Sequence, residues 1–76
     1  MDYEEFVRKF KEGSLYVEHR YPNGKTTYSY HFGRIVIIFN GHAVLYDLIT
    51  IEELYSRTSK EDWIIRDFSV HSKRCI

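Results

Sequence analysis

Midway along the chain, five consecutive apolar residues, Ile35-Val36-Ile37-Ile38-Phe39, run into Asn40-Gly41, and Ala43-Val44-Leu45-Tyr46 follow. Asn-Gly is the strongest short hairpin signal, because both residues accept the positive φ of a type I′ turn. The flanking runs do not alternate apolar with polar residues, as strands with one wet face do. The chain is therefore expected to build a hairpin that is apolar on both faces and needs cover for each. A two-residue turn pairs Phe39 with His42, Ile38 with Ala43 and Ile37 with Val44. It also sets Arg34 against Asp47, an opposite-charge pair that favours this register.

A second hairpin precedes it. Residues 15–21 and 26–32 flank Pro22-Asn23-Gly24-Lys25. Setting Tyr21 against Thr26 opposes Val17 to Tyr30 and sorts the side chains. Leu15, Val17, Tyr28, Tyr30 and Phe32 share one face. Tyr16, Glu18, Arg20, Thr27, Ser29 and His31 share the other. A slip of one residue would mix the two sets, so this register is preferred. Gly33, between the hairpins, reads as a tight turn or a bulge.

Helices bracket the hairpins. Within residues 2–12, Tyr3, Phe6, Val7 and Phe10 form one apolar stripe at helical spacing. Asp2 caps this segment, Glu5 stands at the capping-box position, and Gly13 stops it. Thr50 with Glu53 is a second capping box. Ile49 and Leu54 make its hydrophobic staple, and the helix is short, ending near Thr58. Residues 63–70 (Trp63, Ile64, Ile65, Phe68 and Val70) lean to a final strand. Residues 71–76 read as a loose tail.

These elements predict one α+β domain over residues 1–76. It has an antiparallel sheet of four or five strands with the N-terminal helix and a short second helix packed on it. A chain of 76 residues buries only about 60% of its unfolded surface, so its core is small. Seven Tyr and five Phe supply large apolar area per residue. The expected core is Phe6, Phe10, Val17, Tyr30, Ile35, Ile37, Val44 and Leu54.

Charge and cysteine content narrow the function. Eleven basic and eleven acidic residues cancel, which argues against a strongly basic nucleic-acid module and against an acidic mimic of DNA. One cysteine, Cys75, forms no internal disulfide, whereas small secreted domains usually carry several. No apolar run approaches the ~20 residues of a membrane span. The acidic start Met1-Asp2-Tyr3-Glu4-Glu5 is unlike a signal peptide. A cytoplasmic protein without membrane association is expected.

Candidate chemistry is thin. Gly24-Lys25-Thr26 resembles the end of a phosphate-binding loop, but His19 stands where its first glycine belongs and a strand follows instead of a helix. His19, His31, His42 and His71 lack the spacing of a metal motif, and His71 with Cys75 makes only two ligands. Cys75 follows Lys73 and Arg74, a basic setting that favours thiolate, yet a chain end is a poor place for a preorganised site. The acidic pairs Glu4-Glu5, Glu52-Glu53 and Glu61-Asp62 all sit at helix starts, where carboxylates are expected for dipole reasons. No cofactor, metal or catalytic set is expected.

The reading that remains is a non-catalytic protein-binding module, a regulator, adaptor or inhibitor of a larger assembly, with a protein partner or a second copy of itself. Tyr16, Arg20, Tyr55 and Trp63 are the candidate interface residues, being of types enriched at binding hot spots. The alternative is single-stranded nucleic-acid binding, with Tyr16, Arg20 and His31 on the outer face of the first hairpin, and Lys25 nearby, stacking bases and holding phosphates. Cys75 is expected to be dispensable. Cys75→Ser should leave the thermal midpoint and partner binding unchanged, as checked by a melting curve and a binding isotherm on the variant.

Overall fold

The computed structural model describes residues 1–69. The order of elements is α1 (Tyr3–Lys11), β1 (Leu15–Tyr21), β2 (Gly24–His31), β3 (Arg34–Phe39), β4 (Ala43–Tyr46), α2 (Ile51–Arg57) and β5 (Trp63–Asp67). Strands β1 to β4 form an antiparallel meander. After α2 the chain returns and β5 pairs with β1, giving a five-stranded sheet in the order β4-β3-β2-β1-β5. The α+β architecture is the one the sequence predicts. The expected loose tail, with His71 and Cys75, lies outside the described residues.

Local chemistry sets the helix ends. The Asp2 carboxylate accepts the Glu5 N–H at 2.8 Å and starts α1. Thr50 and Glu53 form a reciprocal capping box at α2. Each helix is too short to be stable alone, so packing must hold both. Phe6 and Phe10 of α1, Leu54 of α2 and Ile49 before it join Leu15, Val17, Tyr28, Ile35, Ile37 and Trp63 in one core cluster. Tyr55 ties the helices together. Its ring lies 5.1 Å from that of Phe6, and its hydroxyl donates to the Met1 carbonyl at 2.9 Å. Both helices thus lie on one face of the sheet. Lys9 of α1 donates to Asp67 of β5 at 2.9 Å and anchors the last strand.

Both hairpin registers differ from the sequence reading. In the first, Tyr21 opposes Gly24 and Val17 opposes Tyr28. The shift is two residues, so both faces keep the expected side chains. The loop tightens to Pro22-Asn23 because Gly24 packs against the turn of the other hairpin. A Cβ on Gly24 would fall 1.7 Å from Asn40 Oδ1, which accepts the Lys25 N–H at 3.1 Å. In the second hairpin, Ile37 opposes Leu45 and Ile38 opposes Val44. Asn40 and Gly41 do take positive φ, but His42 adds one residue to the loop. The slip of one turns β4 over. Leu45, not Val44, faces the core side, and Val44 is exposed on the opposite face. The expected Arg34 and Asp47 contact forms at 3.0 Å, although Asp47 lies beyond β4 with a φ of 52°.

The expected core is otherwise found, with Tyr30 packed at its margin. Gly33 makes a tight turn: Phe32 and Gly33 both have positive φ and His31 opposes Arg34, so β2 and β3 are a hairpin too. Phe10 is fully buried at the contact of α1 with the sheet. Phe10→Ala is expected to cost roughly 3–5 kcal/mol, read as a lowered urea midpoint. An unchanged midpoint would contradict this packing.

Candidate functional site

With both helices on one face, the second face of the sheet is bare among the described residues. Its side chains come from alternate positions of each strand. On β3 and β4 they are Val36, Ile38, Val44 and Tyr46. Val36 opposes Tyr46 and Ile38 opposes Val44, so the four make one apolar strip. Val36 and Ile38 are half-buried, while Val44 and Tyr46 are 47% and 48% exposed. The Arg34 guanidinium lies 4.7 Å from the Tyr46 ring centre and closes one end of the strip.

The next strand, β2, presents small polar groups, Thr27 and Ser29. With Tyr16 and His31 they line a shallow groove of about 260 Å³. Beyond it, on β1 and β5, lies a charged cluster centred on Glu18. The Glu18 side chain is only 2% exposed. Arg20 Nε donates to it at 3.1 Å, Arg66 Nη2 at 3.4 Å, Lys25 Nζ at 3.4 Å and the Tyr16 hydroxyl at 3.3 Å.

Strand geometry makes this cluster. Tyr16, Glu18 and Arg20 are two apart on β1 and point the same way. Lys25 opposes Arg20 and Arg66 opposes Tyr16, so both are diagonal neighbours of Glu18, within reach of long side chains. Burial pushes the Glu18 carboxyl up. The hydrogen bonds from Arg20 and Arg66, with the charges of Arg66 and Lys25, outweigh that and lower it to about 2. The cations stay accessible: the Arg20 and Lys25 side chains are each 53% exposed and Arg66 is 42% exposed. Each keeps donors facing solvent after its bond to Glu18.

The four residues singled out from sequence do not form one patch. Tyr16 and Arg20 lie on the bare face around Glu18, Tyr16 with its ring 5.4 Å from that of Phe68. Tyr55 sits between the helices against Tyr3 and Phe6. Trp63 is a core residue, 8% exposed, with its ring stacked on His19 at 4.1 Å. His19 in turn contacts Asp62 at 3.0 Å through Nε2. Sequence reasoning expected apolar side chains on both faces of β3 and β4 but missed Arg66 and misassigned which β4 residues lie on the bare face. Arg66 was hidden because nothing local shows that β5 pairs with β1. The facing of the β4 residues was hidden because the extra loop residue at His42 inverts β4.

Comparison with protein-family models, curated proteins and solved structures finds no match. No helix among the described residues is long and apolar enough to cross a membrane. No group of three or more His, Cys, Asp or Glu among them could hold a metal ion.

Glu18 also couples the face to pH. Its carboxyl titrates lower in the folded protein than the ordinary value of 4.5. Its ion pairs therefore stabilise fully above about pH 4.5 and are lost as pH falls towards about 2. Glu18→Gln should lower the urea midpoint at neutral pH, because it leaves three cations together. The midpoints of the two proteins should converge as pH approaches 2. A constant gap across that range would show that the ion pairs contribute nothing.

Proposed function

We propose that this protein is a non-catalytic protein-binding module that works in the cytoplasm through the bare face of its sheet, as a regulator, adaptor or inhibitor of a larger assembly. The observation that carries the reading is the strip Val36, Ile38, Val44 and Tyr46, apolar, contiguous and open among the described residues. Burying such a strip releases ordered water at about 25 cal/mol per Å². The polar rim that interfaces require is present on the same face, in Arg34 at one end and the Glu18 cluster across β2.

Nucleic-acid binding by the same face has less behind it. Base stacking uses aromatic rings spread over adjacent strands with room for bases between them. Here the middle strand offers Lys25, Thr27, Ser29 and His31, the Tyr16 ring is paired with Phe68, and the strip on β3 and β4 is largely aliphatic.

A photo-crosslinking amino acid at Val44, with the same group at Glu52 on α2 as control, tests the reading in cells that express the protein. A discrete adduct is expected from position 44 and none from position 52. No adduct at position 44, together with salt-sensitive oligonucleotide binding abolished by Tyr16→Ala and Arg20→Ala, would replace this reading with the nucleic-acid one.

A further inference from the structure

The apolar strip and the cationic cluster lie side by side at a fixed spacing, and together they describe one partner. From the proposed use of this face as a protein interface, we infer that its partner is an acidic amphipathic helix seated over β2, with its apolar side on the strip and its carboxylates on Arg20, Lys25 and Arg66.

Charge supplies the first part of the argument. The bare face carries Arg20, Lys25, Arg34 and Arg66, and its carboxylates, Glu18 and Asp47, are already engaged by them. The face is therefore net positive in a chain that is neutral as a whole. The opposite side is acidic. Glu4 and Glu5 open α1, Glu52 and Glu53 open α2, and with these four included the carboxylates outside the bare face outnumber the remaining described cations nine to five. Free donors on three converging cations match carboxylates in both charge and hydrogen-bond polarity.

Dimensions supply the second part. Strands are about 4.8 Å apart, so the strip on β3 and the cluster on β1 are separated by roughly 10 Å across β2. That matches a helix, whose diameter with side chains is ~10–12 Å. Thr27 and Ser29 on the intervening strand are short, and with Tyr16 and His31 they form a trough and not a ridge. A helix lying there sets one flank on Val36 and Ile38 and the other beside Arg20 and Arg66.

The same observations weigh against a second copy stacked face to face. Its bare face would bring more cations and no unengaged carboxylate to meet these. Pairing of two β4 edges would leave the cationic cluster unused, and it is an outcome the experiment distinguishes.

The test uses the full chain and three probes. The first is a helical peptide with leucines along one side and glutamates flanking them. The second is its twin with lysine for each glutamate, and the third is an oligo(dT) of about 15 nucleotides. Affinity is read by fluorescence anisotropy, the contact site by amide chemical shifts, and self-association by sedimentation across concentration. The acidic peptide is expected to bind at least about tenfold tighter than its lysine twin, with binding weakened by salt. The shifts should centre on Val36, Ile38, Val44 and Arg66. Lys25→Ser and Val44→Ser, both at exposed positions, should each weaken the acidic peptide. Because the two peptides differ while the protein does not, the comparison is independent of whether any variant folds.

Equal affinity for the two peptides would overturn the acidic partner and leave the protein-binding reading standing. Shifts confined to the helix side, or variants that bind normally, would overturn the assigned face. Association with itself and with neither peptide would make a second copy the occupant. Binding of oligo(dT) alone would overturn both this inference and the proposed function.

Discussion

Among the described residues, the nine of α1 and the seven of α2 are the helices packed on a five-stranded sheet. At 1.5 Å per residue they span about 13 and 10 Å. Five strands at ~4.8 Å spacing are about 19 Å wide. One face is thus the most the helices can dry, and they do so with aromatic side chains. Phe6 and Phe10 are fully buried, Phe10 lies 5.7 Å from Tyr30, and Tyr55 of α2 reaches back to Phe6. Large rings bury the most area per backbone residue ordered, which is the economical choice in a small domain. The bare second face follows from this geometry.

A bare sheet face invites indiscriminate association, and the rest of the structure answers that. The Glu18 cluster converts half of the face into a charged surface. A carboxylate at 2% exposure is costly unless it is paired, and it is paired with three cations and a hydroxyl. That arrangement holds the cations in a fixed array instead of leaving them as free surface chains. The same carboxylate therefore stabilises the fold at neutral pH and orients the cations that border the strip. Thr27 and Ser29 interrupt the apolar surface between strip and cluster, so the continuous apolar area stops at β3.

How much of this was legible in the sequence depended on whether a signal was local. Helix caps are set by residues three apart, so Asp2 with Glu5 and Thr50 with Glu53 were readable and are found. The faces of β1 and β2 were readable because period-two alternation survives an even register shift. The register itself was not. It depends on Gly24 fitting under Asn40, a contact between residues sixteen apart that no turn rule contains. In the second hairpin the turn chemistry was right and the pairing was not. The side chains of residues 35–39 and 43–46 are apolar at every position, so no alternation could reveal the extra residue at His42. Trp63 read as an interface residue by type, whereas pairing of β5 with β1 places it between His19 and Tyr28.

The place where the alternation rule failed is also the place where the candidate site lies, and the two have one cause. A strand whose residues must serve both a core face and a binding face cannot alternate apolar with polar. Ile35 and Ile37 meet the helix side, while Val36 and Ile38 lie half-buried on the other side. Strand β1 is also an inner strand, between β2 and β5, but it carries Glu18 in place of an aliphatic residue and alternates in polarity, and there the faces were read correctly. Departure from a local rule where no strain or core requirement explains it marks a second demand on those residues. On β3 and β4 that demand is an apolar surface kept open in the described fold. The cations beside it limit what could close it, because a group covering the strip would also have to satisfy Arg20, Lys25 and Arg66.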